Sequence, residues 1–91
     1  MVMQHILRYL VEYPDAKDTV QGIIRWWLPK DPVEQREDVV QEALDTLVVR
    51  GWVTRRQTTG SQPLYGMNKE KLREIKAYLH EFEDEAEGQR E

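Results

Sequence analysis

Cysteine is absent from the sequence, and histidine and serine are scarce. The lack of cysteine excludes disulfide bonds and thiolate metal ligands, so the cytoplasm is the compartment we expect. The two histidines, His5 and His80, stand at opposite ends of the chain, and neither has Glu or His at i+4 facing a shared site. The single serine, Ser61, falls in a predicted turn, and no glycine-rich loop leads from a strand into a helix. The sequence therefore predicts no catalytic residue, no metal site and no cofactor.

Long hydrophobic runs are also missing. No apolar stretch approaches the roughly 18 residues that a membrane span requires, so we expect neither a membrane helix nor a signal peptide. With 91 residues, of which 40% are hydrophobic, the chain can enclose one small core. We expect a single domain over residues 1–80.

Acidic residues are unevenly placed within a formal net charge of −4. Residues 46–69 contain no acid and four basic residues, whereas residues 81–91 contain six acids against one arginine, a net charge of −5. This acidic end is predicted to be a helix that frays into disorder.

Apolar residues at helical spacing predict the first two helices near residues 2–13 and 19–28. Asp18 followed by Gln21 resembles a capping box at the start of the second helix. Gly22 is unfavourable inside a helix by about 1 kcal/mol relative to alanine, which suggests that another helix packs closely against it.

A third helix is predicted over residues 32–50. Asp31 has the character of an N-cap, Pro32 that of a first helical residue, and Val33 then falls on the apolar face. Gly51 provides the left-handed residue past the end, and Arg50 is interpreted as a favourable cation in the last turn.

After Gly51 the apolar period changes from that of a helix to that of a strand. Residues 52–67 are predicted to form a hairpin with a polar tip at residues 57–63. A last helix is predicted from residue 69, capped by Asn68. Its apolar positions follow a short heptad pattern and comprise Leu72, Ile75, Leu79 and Phe82.

Two stretches of the chain resemble the winged helix-turn-helix superfamily. They are ALDTLVVRGWVTRR (residues 43–56), similar to the junction of the third helix and the wing, and LYGMN (residues 64–68), similar to the returning strand. The resemblance implies an α+β, mostly α fold: a three-helix bundle, a two-stranded wing hairpin and a C-terminal helix. In DNA-binding members, the third helix enters the major groove and the wing contacts the backbone.

The predicted wing is the candidate nucleic-acid surface. Arg55 and Arg56 are neighbours in a strand, so they project to opposite faces, and we expect only one of them to share its face with the core. The candidate contacts to double-stranded DNA are Arg55, Arg56, Gln57, Thr58, Thr59, Ser61 and Gln62. The alternative is an ordinary hairpin whose arginines protect a sheet edge.

The exposed face of the predicted third helix is acidic, which does not suit DNA. At about 100° per residue, the positions opposite its apolar stripe are Glu34, Gln35, Asp38, Glu42 and Asp45. Arg36 falls near the buried stripe and does not offset these acids, so the face is expected to repel phosphates. It is either a solvated surface or the contact for a protein partner.

Trp26 lies beside the apolar stripe of the second helix, whereas Trp27 belongs to the core. Trp26 therefore either covers the core edge or anchors another chain, together with Glu34, Asp38, Glu42 and Asp45.

The last helix likewise has two interpretations, because its apolar positions can pack on their own domain or pair with a second copy.

Two functional hypotheses follow. The first is a small, non-enzymatic DNA-binding regulator that works as a homodimer. The second is a protein-docking module that uses Trp26 and the acidic face.

Overall fold

The computed structural model describes residues 1–59 and 62–90, with side chains as far as Glu81. These residues form four helices and a three-stranded antiparallel sheet, which confirms a mostly helical α+β fold. The helices are α1 (Val2–Glu12), α2 (Val20–Gly22, continued by a π-helical turn Ile23–Trp27), α3 (Glu37–Val49) and α4 (Leu72–Arg90, preceded by a 3-10 turn Lys69–Lys71). The strands are β1 (Lys17–Asp18), β2 (Val53–Arg56) and β3 (Leu64–Met67).

One apolar core joins the helices to the inner side of the sheet. Its buried residues are Val2, Ile6, Leu7, Leu10, Val20, Ile23, Trp27, Leu28, Val40, Ala43, Leu44, Leu47, Val53, Tyr65, Met67, Ile75 and Leu79. The side chains of α1 occupy its centre, where Ile6, Leu7 and Leu10 are fully buried against α3 and α4. The rings of Tyr9 and Trp27 stack with centroids 4.8 Å apart, which confirms the predicted core position of Trp27.

The sheet has one strand more than the predicted two-stranded hairpin. Its order is β1-β3-β2, and the two residues of β1 pair with Gly66 and Tyr65 of β3. A two-residue strand is too short to show a periodic pattern, and its formation depends on a partner about fifty residues away in the chain. The sequence therefore gave no signal for it.

The second helix begins one residue later than predicted. Thr19 is the N-cap, and its Oγ1 accepts a hydrogen bond from the backbone N–H of Gly22 at 3.2 Å. Asp18 instead accepts from the N–H of Thr19 at 2.8 Å. A Cβ atom on Gly22 would lie 1.8 Å from Oδ1 of Asp18, so the glycine makes room for this carboxylate and not for another helix.

The third helix begins at Glu37, and the prediction of a start at residue 32 was wrong. Asp31 does act as a cap, accepting from the N–H groups of Val33 and Glu34 at 2.9 and 3.4 Å, but it caps a separate turn. This turn ends at Arg36, whose ψ of 130° is extended. Val33 is consequently exposed rather than buried, and Arg36 is paired with Asp38 instead of lying near the buried stripe. A capping pattern is the same for one turn as for a long helix, and the sequence does not distinguish them.

The end of α3 agrees with the prediction. Gly51 has a φ of 79°, and the N–H of Trp52 returns to the carbonyl of Leu47 at 3.1 Å. This left-handed residue turns the chain directly into β2. The backbone of α4 is helical as far as Arg90, and the fraying expected in residues 81–91 stays a prediction.

Candidate nucleic-acid interface

Arg55 and Arg56 are both exposed on β2, and the register of the sheet confirms that only one of them shares its side with the core. Arg55 pairs with Tyr65 and Arg56 with Leu64, and residues paired across antiparallel strands share a side of the sheet. Arg55 therefore leaves the sheet on the side of the buried Tyr65, whereas Arg56 leaves it on the opposite side. Arg55 is exposed because the core on its side does not extend along β2 beyond Val53.

The two guanidinium groups have no partner among the side chains that the structure describes. Within residues 1–59 and 62–81, neither arginine forms a hydrogen bond or an ion pair with another side chain. Because the arginine side chain remains charged at any ordinary pH, this strand presents two cations that can bind external anions.

The tip of the hairpin is partly closed on itself. The hydroxyl of Thr58 donates to the carbonyl of Gln62 at 3.1 Å, so it is engaged within the loop. Gln57, Thr59 and Gln62 are exposed, as a surface contact requires. Ser61 lies outside the described residues.

The exposed face of α3 is acidic. The exposed acids are Glu37, Asp38, Glu42 and Asp45. Among the side chains that the structure describes, a cation pairs with only one of them, Asp38, where Nη2 of Arg36 lies 2.9 Å from Oδ2. Three of these acids belong to the predicted face, and Glu37 adds a fourth. This concentration of charge disfavours a phosphate backbone lying along α3.

Glu34 does not belong to this face, contrary to the prediction. It precedes α3, its side chain is only 15% exposed, and its Oε1 lies 2.8 Å from Nδ1 of His5 and 3.2 Å from the amino group of Met1. Its contacts hold the turn before α3 against α1. Glu34 is therefore a structural residue and offers little surface to a partner.

An aromatic and charged cluster connects the start of β2 to α4. The guanidinium of Arg50 lies 5.2 Å from the ring centroid of Trp52 and 5.8 Å from that of Tyr78. Nε1 of Trp52 donates to Glu74 at 3.3 Å, and the two rings meet edge to face. Arg50, interpreted from sequence as a helix-dipole partner, thus mainly covers two aromatic rings. The contact joins residues that are distant in the chain, so local pattern did not reveal it.

Trp26 is 69% exposed, in contrast to its buried neighbour Trp27. A large exposed indole is unusual on a small domain, and its role as an anchor stays a prediction.

The apolar residues of α4 pack within their own chain as far as the structure describes them. Ile75 and Leu79 are buried in the common core, on the side of α4 that meets α1, and Leu72 is half-buried against the same core. Ile75 and Leu79 therefore leave almost no surface for pairing with a second copy. The side chain of Phe82 lies outside the described part.

Comparison of the chain with protein-family models, curated proteins and solved structures returns no match. Functional assignment therefore depends on the geometry of the chain itself.

The described helices include none long and apolar enough to cross a membrane. Among the described side chains, no group of three or more His, Asp or Glu residues is placed to hold a metal ion. The unpaired arginines of β2 remain the surface with the clearest chemistry.

Proposed function

We propose that this chain is a small, non-enzymatic winged-helix-like module that binds the phosphate backbone of double-stranded DNA through its hairpin, as a transcription regulator does. The order of its elements supports the proposal, since three helices lead into a hairpin and β1 completes the sheet beside β3. The exposed face of α3 is acidic, so we do not expect this helix to enter the major groove and contact the bases. The binding proposed here is therefore largely independent of sequence and directed at the backbone.

The observation that carries the proposal is the pair of exposed, unpaired guanidinium groups of Arg55 and Arg56 in a segment without acids. Contacts of this type release counterions from DNA, and each phosphate neutralised changes the slope of log K against log salt by about 0.9. One arginine contact should thus contribute about 0.9 to the slope, and two about 1.8.

The test is fluorescence anisotropy of labelled duplexes of several sequences, titrated with the protein at a series of salt concentrations. Arg55→Ala combined with Arg56→Ala is expected to remove most of the binding and to reduce the slope by between about 0.9 and about 1.8, depending on whether one or both arginines contact phosphate. The matched control is Arg25→Ala combined with Lys30→Ala, which removes two exposed cations from another part of the domain. Absence of binding to any duplex at low salt would refute the proposal.

A second candidate function, protein docking, is favoured by the exposed Trp26 and the acidic face of α3. The complementary partner is a protein with a basic surface and a pocket for an indole ring. A photo-crosslinker placed beside Trp26 would identify such a partner, and binding would then be measured with the purified proteins. Docking requires that Trp26→Ala weaken that complex at least tenfold and that Asp38→Asn with Glu42→Gln reduce its association rate. Unchanged affinity in both variants would exclude it.

A further inference from the structure

The two arginines of β2 face different electrostatic surroundings. Arg55 is on the side of Tyr65, whose hydroxyl accepts a hydrogen bond from Nε2 of Gln41 at 3.0 Å. Gln41 belongs to α3 and donates also to Asp45 at 3.0 Å. The inner side of the hairpin is thus linked through one side chain to an exposed carboxylate of α3. A polyanion that approached Arg55 on this side would meet the acids of α3.

The outer side of the sheet carries cations without these acids. Lys17, Gly66 and Thr54 form one row across β1, β3 and β2, and Arg56 follows two residues further along β2 on the same side. Lys17, Thr54 and Arg56 are all exposed. Strand spacing and rise place the Cα atoms of Lys17 and Arg56 about 12 Å apart, within reach of one duplex for two long side chains.

Gly66 allows the side chain of Lys17 to lie across the sheet. A Cβ atom at Gly66 would be 3.0 Å from Cγ of Lys17 and 3.3 Å from the carbonyl oxygen of Ala16. The stem of Lys17 therefore covers the position that a larger residue would occupy, and Gly66 itself is buried. The hydroxyl of Thr54 donates to the carbonyl of Gly66 at 3.3 Å, so it too lies against β3.

Two acids near β1 and the start of β2, Asp15 and Glu74, are paired with lysines. Asp15 accepts a hydrogen bond from Nζ of Lys69. This bond, the charge of Lys69 and, to a smaller extent, the charge of Lys17 lower the pKa of Asp15. Glu74 lies 3.6 Å from Nζ of Lys71 and also accepts from Trp52. Within the described residues, Lys17 forms no ion pair of its own.

We infer that the DNA backbone lies across the outer face of the sheet, the side opposite Tyr65, with Lys17 and Arg56 contacting its phosphates. This inference rests on the proposed function and adds a residue, Lys17, that belongs to neither the hairpin nor α3. It removes the conflict between a basic hairpin and an acidic α3, because the bound duplex is separated from the α3 carboxylates by the domain itself.

The test compares four single variants in the same anisotropy assay: Lys17→Gln, Arg56→Gln, Arg55→Gln and, as a control of equal charge change, Lys30→Gln. Glutamine keeps a stem over Gly66 while removing the charge, and circular dichroism checks that each variant is folded. Lys17→Gln and Arg56→Gln are each expected to lower the salt slope by about 0.9, and the other two by less than half of that. A slope change at Arg55 with none at Lys17 would overturn the inference and leave the proposed function standing.

A second measurement separates the two sides of the sheet. Asp38→Asn combined with Glu42→Gln should strengthen outer-face binding by less than about threefold, because charges more than about 10 Å apart are largely screened at 0.1 M salt. An increase of tenfold or more would place the duplex against α3 and overturn the inference. A wild-type protein that binds no duplex would refute both proposals together.

Discussion

Whether Gly22→Ala stabilises or destabilises the fold should depend on the side chain of Asp18. Alanine is favoured over glycine in a helix by about 1 kcal/mol, and Gly22 has helical dihedral angles, so backbone propensity alone predicts stabilisation. The new Cβ, however, would lie 1.8 to 2.3 Å from the three carboxyl atoms of Asp18 and would force this group away from the N–H of Thr19. Loss of that charge-assisted hydrogen bond costs about 1.5 to 3 kcal/mol. We therefore expect Gly22→Ala to be destabilising by about 1 kcal/mol in the wild type.

The reasoning is tested by a double-mutant cycle, measured by urea unfolding. In an Asp18→Ala background the obstacle is gone, and Gly22→Ala should stabilise by up to about 1 kcal/mol. The cycle should accordingly give a coupling free energy of about 2 kcal/mol between the two positions. If the free-energy changes of Gly22→Ala and Asp18→Ala add to that of the double variant within about 0.5 kcal/mol, the carboxylate moves aside without cost. That result would refute this account of the glycine.

Three further outcomes follow from individual contacts. Gly51→Ala should destabilise by about 1 to 2 kcal/mol in urea unfolding, purely through the backbone since its Cβ meets no atom within 4 Å, and Gly51→Asn should cost less. Tyr65→Phe should cost about 1 kcal/mol by removing the acceptor for Gln41, and the same change in a Gln41→Ala background should cost clearly less. Because Lys69 lowers the pKa of Asp15, Lys69→Ala should raise that pKa toward its ordinary value in an NMR titration. The pairing stabilises the fold above the unfolded-state pKa and is lost as the pH falls through the folded-state pKa, so the variant should lose stability at neutral pH but not in strong acid.

Features that depend on neighbouring residues were predictable from the sequence. The apolar spacing identified α1, and the change of period after Gly51 located β2 and β3. Gly51 itself marked the end of α3, because only a residue tolerant of positive φ fits there. The exposure of Trp26 beside a buried Trp27 also followed from helical spacing.

Candidate surface residues were identified in part. Arg55 and Arg56 were recognised by type and position, but the side of the sheet that each one faces was not, since this depends on register with β3. Glu34 was assigned to an acidic face on the assumption that α3 began at residue 32. Its pairing with His5 joins positions 29 residues apart and has no local signature.

The sequence by itself thus determined the class of fold, the hairpin and the acid-free segment that contains its two arginines. The tertiary structure alone decided where α3 begins, that β1 exists, and that Lys17 lies across Gly66 on the face opposite Tyr65. The division has one physical cause. Periodicity and capping depend on residues a few positions apart in the sequence. Strand pairing and the surroundings of a charge are formed only when distant segments of the chain come into contact.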